Sequence, residues 1–124
     1  MNKVINSEKV PAAIGPYSQA IESNGFVYVS GQLPINTETG TMPKTIEEQT
    51  TQSLSNIKSI LEAAGLSMDN VVKTTVLMTN LGDFTKMNEV YGTFFSGAYP
   101  ARAAYQVVAL PKGAMVEIEA VASK

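Results

Sequence analysis

Short β-rich segments on either side of Asn24-Gly25 predict a hairpin near the start of the chain. Ala20–Ser23 precedes the dipeptide and Phe26–Ser30 follows it. Asn-Gly between such segments favours a two-residue type I′ turn, because both central residues of that turn need positive φ. Gly31 comes directly after the second strand. It either ends the strand or lets a ligand approach the backbone N–H closely.

Apolar residues at helical spacing predict a first helix after a turn-rich segment. Thr45 and Glu48, three residues apart, have the pattern of a capping box at its start. Gly65 occupies the position of a C′ glycine beyond its end. A β-branched strand, Val71–Met78, is predicted next. The buried stripe of the helix is predicted to contain Leu54, Ile57, Leu61 and Ala64.

A second amphipathic helix is predicted after this strand. Asp83 is placed to cap it, and Gly97 and Pro100 are placed to end it. Asn88 interrupts the apolar pattern, either as a solvated side chain or as a polar group at the edge of a site. The apolar face, which is core by default, is predicted to contain Phe84, Met87, Tyr91 and Phe94 or Phe95.

Two strands are predicted at the end of the chain, Ala103–Leu110 and Met115–Ala122, with a turn at Pro111–Gly113. If they pair as a hairpin, Glu117 opposes a residue within 105–107. Alternation in the last strand predicts one face with Val116, Ile118 and Ala120, and an opposite face with Glu117, Glu119 and Val121.

The order of these elements predicts an α+β fold, with two helices packed on one face of a mixed β-sheet. The other sheet face then lacks a helical cover. Small chains often bury such a face in a symmetric oligomer, so self-association is expected. With 124 residues, the chain is predicted to form one domain over residues 1–124.

The amino-acid composition limits the partners and the reaction types that the chain can have. The net charge is −2 and no basic cluster is present, which argues against a nucleic-acid partner. No apolar run is long enough to span a membrane, and no secretory signal is visible, so a cytoplasmic protein is expected. The absence of cysteine and histidine excludes thiol chemistry and the ligands that zinc prefers. We therefore expect no metal and no cofactor.

Arg102 is the only arginine of the chain. A guanidinium can bind a carboxylate or phosphate through two parallel hydrogen bonds, although most arginines are surface residues without such a role. With Glu117 near the same end of the sheet, Arg102 forms either a structural ion pair or one side of a small anion site. Tyr17, beside Gly15-Pro16, either packs on the sheet or offers its ring and phenol to a ligand.

Several blocks of the sequence resemble the RidA family, also called the YjgF/YER057c/UK114 family. The resemblance covers essentially the whole chain in order, as a single RidA-like domain. It implies a chorismate-mutase-like (bacillus type) fold and a homotrimer with ligand clefts between subunits. The blocks that carry it are Pro11–Ala20, Val29–Gln32, Asn88–Phe95, Tyr99–Arg102, Leu110–Lys112 and Val116–Ala120.

The resemblance also implies a reactive-intermediate deaminase. Such enzymes hydrolyse 2-iminobutanoate and 2-iminopropanoate, which arise from 2-aminocrotonate and 2-aminoacrylate, to 2-keto acids and ammonia. Arg102 would bind the substrate carboxylate, and Glu117 would hold the attacking water with help from the backbone carbonyl of Ala104. Many relatives carry cysteine where this chain has alanine. The remaining positions implied or expected to bind substrate are Tyr17, Ser30, Gly31 and Asn88.

Two other functions stay open at this point. The first is a non-catalytic regulatory protein that uses the same cleft to sense small carboxylates such as 2-keto acids, since a fold does not decide a function. Inhibition of translation through RNA cleavage is attached to some relatives. The net charge of −2 and the absence of histidine argue against it for this chain.

Overall fold

The computed structural model describes residues 2–124, in which six strands and two longer helices form one mixed sheet with helices on one side. The order of the strands across the sheet is β1-β2-β3-β6-β4-β5. Along the chain the elements are β1 (Lys3–Ile5), β2 (Ala20–Ser23), β3 (Phe26–Gln32), α1 (Ile46–Ala63), β4 (Val71–Met78), α2 (Phe84–Gly92), β5 (Ala101–Gln106) and β6 (Val116–Ser123).

The predicted hairpin is confirmed. β2 and β3 pair antiparallel, and Asn24 and Gly25 have φ of 52° and 81°, as a type I′ turn requires. Strand β1, which pairs with β2, was not predicted. Its three residues give no readable alternation, so the strand is defined by its partner and not by its own pattern.

Helix α1 begins and ends as predicted. The Thr45 hydroxyl accepts the N–H of Glu48 (3.2 Å) and donates to the Glu48 carboxylate (3.0 Å). Gly65 has φ of 77°, and the next residue closes the helix end with a 2.8 Å bond to the Leu61 carbonyl. The predicted stripe is confirmed for Leu54, Ile57 and Leu61, which are fully buried.

Helix α2 differs from the prediction at both ends. Asp83 stands at the N-cap position, but its side chain makes no capping bond, because the chain enters the helix through a short 3₁₀ turn over Leu81–Asp83. The helix ends at Gly92, five residues before Gly97. The apolar face is present: Met87 and Tyr91 are buried, and the ring of Phe95 lies 5.0 Å from that of Tyr91.

The last two strands do not pair as the hairpin that was considered from the sequence. β5 pairs with β4 in parallel, and β6 lies between β3 and β4. The chain leaves β4 through α2 and returns in the same direction, which is the crossover that parallel neighbours require. β5 also begins and ends earlier than expected, at Ala101 and Gln106. Strand β6 has a hydrogen-bonded neighbour on each side, and its apolar face, with Val116, Ile118 and Ala120, is buried.

The two faces of the sheet have different environments. The face that packs against α1 and α2 is buried, as at Val27, Val76, Val116 and Ile118. We call the opposite side the open face. Its side chains include Tyr28, Thr75, Tyr105, Glu117 and Glu119, and the two tyrosines are about half exposed, at 48% and 50%. Within residues 2–124, no helix has the length and apolar character needed to cross a membrane.

Candidate functional site

Arg102 lies on the edge strand β5 and directs its side chain towards α2. Its strand partner is Thr74, whose side chain is buried beneath the helices, so both belong to the covered face. One guanidinium nitrogen, Nη1, donates to Asn88 Oδ1 at 2.7 Å. The guanidinium carbon lies 4.9 Å from the ring centre of Tyr91 and 5.4 Å from that of Phe84, within the range of cation–π attraction.

Arg102 opens onto a cavity of about 350 Å³ and remains solvent-exposed. Its hydrogen-bond partner is a neutral amide, so its positive charge is not neutralised by a carboxylate. The ion pair with Glu117 considered from the sequence is not formed; within residues 2–124, the salt bridge joins Lys124 to Glu22 (3.1 Å). The cavity is lined by Asn88, Tyr91, Gly92, Tyr99, Pro100 and Arg102.

Glu117 lies on β6 and faces the open side of the sheet, directly over the backbone of Gly31. A Cβ at Gly31 would come within 2.9 Å of the Glu117 carboxyl carbon and would collide with its Oε2. Glycine is therefore needed at this position for space. The close approach coincides with a β-bulge, because β3 has two residues, Ser30 and Gly31, between its pairings of Val29 with Ala120 and Gln32 with Ile118, where β6 has one.

Burial raises the pKa of the Glu117 carboxyl above its usual value, and the neighbouring Glu119 carboxylate raises it further. Removal from water disfavours the charged form, and a like charge on the same strand face has the same effect. A carboxyl with a raised pKa is better matched to proton transfer near neutral pH than an ordinary surface glutamate is. Glu117 therefore has the electrostatic character of a general base.

The polar groups of Ser30 are engaged by the chain segment that carries Tyr17. The Ser30 hydroxyl donates to the Ser18 carbonyl (2.6 Å), and the Ser30 N–H donates to the Gln19 carbonyl (2.9 Å). Tyr17 itself is 55% exposed. Ser30 thus ties the Tyr17 segment to β3, and a direct contact of its amide or hydroxyl with a ligand would compete with these bonds.

Ala104 lies two positions from Arg102 on β5 and pairs with Val76. Its side chain is partly buried and packs against the core below the helices. A cysteine at this position would direct its thiol to the same covered face, away from Glu117. Within one chain, the replacement of that cysteine by alanine therefore leaves the surroundings of Glu117 unchanged.

The structure brings the predicted site residues together in two groups on opposite faces of the sheet. The arginine half-site, on the covered face, consists of Arg102, Asn88, Tyr91 and Phe84. The glutamate half-site, on the open face, consists of Glu117, Gly31 and Ser30, and Tyr17 lies on the segment that Ser30 holds. Glu117 pairs with Leu77, whereas Arg102 pairs with Thr74, and their side chains project from opposite sides. A small molecule cannot touch both groups within one chain.

Two members of the arginine half-site, Tyr91 and Phe84, were assigned only to the core from the sequence. The signal that marks them is their spacing relative to Asn88. Phe84, Asn88 and Tyr91 follow one another at intervals of four and three residues, so they form one stripe along α2. A polar residue within an aromatic stripe is therefore the feature that points to a charged partner.

Comparison with known proteins identifies the class. The family model described as endoribonuclease L-PSP matches residues 7–124. The chain belongs to this family, which is the RidA (YjgF/UK114) family that its sequence blocks resemble. The α+β fold with two helices on one face of a mixed sheet is the chorismate-mutase-like fold of these proteins.

Individual relatives are similar to this chain in sequence or structure over almost its entire length. The 2-iminobutanoate/2-iminopropanoate deaminase of Mus musculus is 51% identical, over 98% of this chain and 91% of that protein. The crystal structure of TdcF from E. coli with bound serine has a TM-score of 0.95 and 42% identity, covering 98% of each chain. RidA from the Antarctic bacterium Psychrobacter sp. has a TM-score of 0.95 and 48% identity, covering 98% of this chain and 99% of its own.

Proposed function

We propose that this protein is a deaminase that hydrolyses 2-imino acids, namely 2-iminobutanoate and 2-iminopropanoate, to 2-keto acids and ammonia. The mouse relative that bears this activity in its name supports the proposal, at 51% identity over 98% of the chain. The observation in the structure that supports it best is the Arg102 guanidinium, which is held by a neutral amide and keeps its charge available for a carboxylate.

The complete active site lies between two copies of the chain, as the clefts of a homotrimer would provide. Arg102 and Glu117 project from opposite faces of one sheet, so an arginine half-site must meet the glutamate half-site of a neighbour. The open face has the character of a contact surface, because it exposes aromatic side chains such as Tyr28 and Tyr105. A closed ring of identical contacts satisfies both requirements.

The chemistry needs an anchored carboxylate, one water molecule and one group that moves a proton. Arg102 binds the substrate carboxylate through the part of its guanidinium that Asn88 leaves free, and so orients the imine carbon. Glu117 takes a proton from the water as the oxygen adds to the carbon of the protonated imine, which gives a neutral carbinolamine. Glu117 returns that proton to the nitrogen, and then takes the proton of the hydroxyl group as the C–N bond breaks and the keto acid and ammonia form. Tyr17 and the Gly31 backbone line the same cleft.

The test is keto-acid and ammonia release from imine generated in situ by a serine or threonine dehydratase. The wild-type chain should accelerate hydrolysis beyond the spontaneous rate, and Arg102→Ala should not, while its circular dichroism spectrum stays unchanged. Arg102→Lys should recover only part of the rate, because the ammonium group of lysine cannot offer two parallel N–H donors to a carboxylate as a guanidinium does. Saturable keto-acid binding by the wild type without any acceleration would identify a metabolite sensor and would refute the proposal.

A further inference from the structure

The ring of Tyr91 is fixed from two sides beneath Arg102. Its hydroxyl and that of Thr74 are 2.7 Å apart in a buried hydrogen bond, and Tyr91 and Thr74 are 5% and 1% exposed. On another side the ring lies 5.0 Å from the Phe95 ring. Because buried hydroxyl groups need a partner, this bond defines one position of the ring.

The same bond connects the ring to the strand position next to Arg102. Thr74 and Arg102 are direct partners in the β4–β5 pairing. The platform under the guanidinium is therefore attached to the strand row that carries the guanidinium, although Tyr91 belongs to a different element, α2. One short hydrogen bond thus links the position of the ring to the strand row of Arg102.

An exposed arginine ordinarily samples many rotamers, and ordering it costs entropy on binding. Here the guanidinium of Arg102 rests on two rings and has one N–H engaged by Asn88. These contacts restrict its orientation before any ligand arrives. None of them contributes a negative charge, so order is obtained without loss of affinity for an anion.

We propose that Tyr91, fixed by Thr74, is a positioning residue that orients the Arg102 guanidinium for a substrate carboxylate. Asn88 takes one N–H and leaves the remaining donors directed to the cavity. The kinetic consequence of this role of Tyr91 rests on the deaminase function proposed above, whereas the ordering of Arg102 does not. Tyr91 touches no substrate atom in this scheme and acts through Arg102 alone.

The single arginine makes the ordering measurable by NMR. In the intact protein labelled with ¹⁵N-arginine, one Nε–Hε signal reports on Arg102, and its heteronuclear NOE separates a rigid from a mobile side chain. The wild type should give a high NOE. Tyr91→Leu, which removes the ring, and Thr74→Val, which removes its anchor, should lower it. Tyr99→Leu is the matched control, because Tyr99 lines the same cavity while the rings under the guanidinium belong to Phe84 and Tyr91.

Tyr91→Phe keeps the ring volume and loses only the bond to Thr74, so it reports on positioning even where Tyr91→Leu unfolds the chain. Its NOE should lie between those of the wild type and Thr74→Val or equal the latter. In steady-state kinetics, Tyr91→Phe should lower kcat/KM by about fivefold to tenfold through a higher KM, with the acid limb of the pH profile unmoved.

An NOE in folded Tyr91→Phe and Thr74→Val equal to that of the wild type would overturn the positioning role, whatever the activity. Absence of imine hydrolysis by the wild type would instead refute the proposed function and leave the NOE comparison intact. A loss of activity with an unchanged NOE would assign the effect to folding or to another residue. The two failures are therefore distinguishable.

Discussion

The covered and the open face of the sheet hold their charged groups in different ways. Arg102, on the covered face, rests against side chains of α2, with aromatic rings below it and an amide beside it. Glu117, on the open face, rests against backbone, where Gly31 has no side chain. The first arrangement keeps a charge available and oriented. The second disfavours a charge, because burial and Glu119 both raise the pKa of Glu117.

This difference keeps the guanidinium and the carboxylate of one chain from neutralising each other. Oppositely charged groups that meet on one face of a sheet attract each other and form an ion pair. Placement on opposite faces prevents that contact within the chain. Under the proposed function, each half-site is completed only when a neighbouring copy brings the other half-site to it.

The largest effect on activity is expected from inactivating one half-site in each of two variants and then combining the variants in one oligomer. Arg102→Ala and Glu117→Gln should each lose activity by about a thousandfold, since an anchoring charge or the base is removed. Unfolding and refolding the two variants together should restore activity in about one quarter of the clefts, because each residue is intact in half of the chains. Keto-acid release from the mixture measures the recovery.

The control is the same mixture without the unfolding step, in which the subunits have not exchanged. Co-refolded oligomers of mixed composition that are as inactive as either parent would contradict the shared cleft. Either Arg102 and Glu117 of the same chain would then form one active site, or one of the two residues would not belong to an active site. Native mass spectrometry of the mixture identifies the mixed oligomers. Recovery thus tests the separation of the faces directly.

A change on the open face alone should have the next largest effect. Gly31→Ala places a Cβ where the Glu117 carboxyl lies, so the carboxyl must move. A displacement of about 1 Å from a productive geometry can lower the rate about a hundredfold. We expect a loss of that size in kcat, with KM little changed because Arg102 is untouched.

Gly97→Ala is the matched control, because a Cβ there would have no neighbour within 4 Å and its φ is not positive. It should retain wild-type kcat and stability. Wild-type activity in Gly31→Ala would mean that the Glu117 carboxyl is not needed in the position that the structure gives it.

The sequence predicted the local elements well and the long-range pairing poorly. The turn at Asn24-Gly25 and the cap at Thr45 depend on a few neighbouring residues, and both were confirmed. The neighbours of β6 depend on which strands compete for a central place, which no local pattern records. The hairpin considered between the last strands is therefore not formed, although the faces of β6 were correctly assigned.

The same limit applies to the site. Arg102 and Glu117 were selected by their residue type and by the family resemblance, and the structure adds their separation by the sheet. Asn88 was noted as a polar residue in an apolar stripe, but its partner was not predicted. The contact joins residues 14 positions apart on different elements, so it depends on the packing of α2 against β5.

On the covered face, Asn88→Asp should have a moderate effect on binding. The new carboxylate would accept the same hydrogen bond from Arg102 and would also neutralise its charge. We expect the guanidinium to remain ordered while KM, and the inhibition constant of a 2-keto acid, rise by about tenfold. Steady-state kinetics with the keto acid as competitive inhibitor measures both constants.

Asn88→Ala is the companion variant, since it removes the hydrogen bond but leaves the charge. It should weaken binding less than Asn88→Asp does, and the order of the two effects decides the interpretation. A stronger loss in Asn88→Ala would mean that Asn88 itself binds the substrate and that charge on Arg102 matters less than the amide.

The smallest effect is expected from Glu119→Gln, which changes the pH dependence and not the maximum rate. As a base, Glu117 works in its deprotonated form, so kcat/KM falls as the pH drops through its pKa. The negative charge of Glu119 raises that pKa, and the substitution removes this contribution. The acid limb of the pH profile should therefore move to lower pH. Burial, the larger cause, persists, so the pKa of Glu117 stays above its ordinary value. Glu62→Gln, at an exposed position of α1, should leave the profile unchanged, and a limb that stays in place or moves to higher pH in Glu119→Gln would show that Glu117 is not the group that titrates.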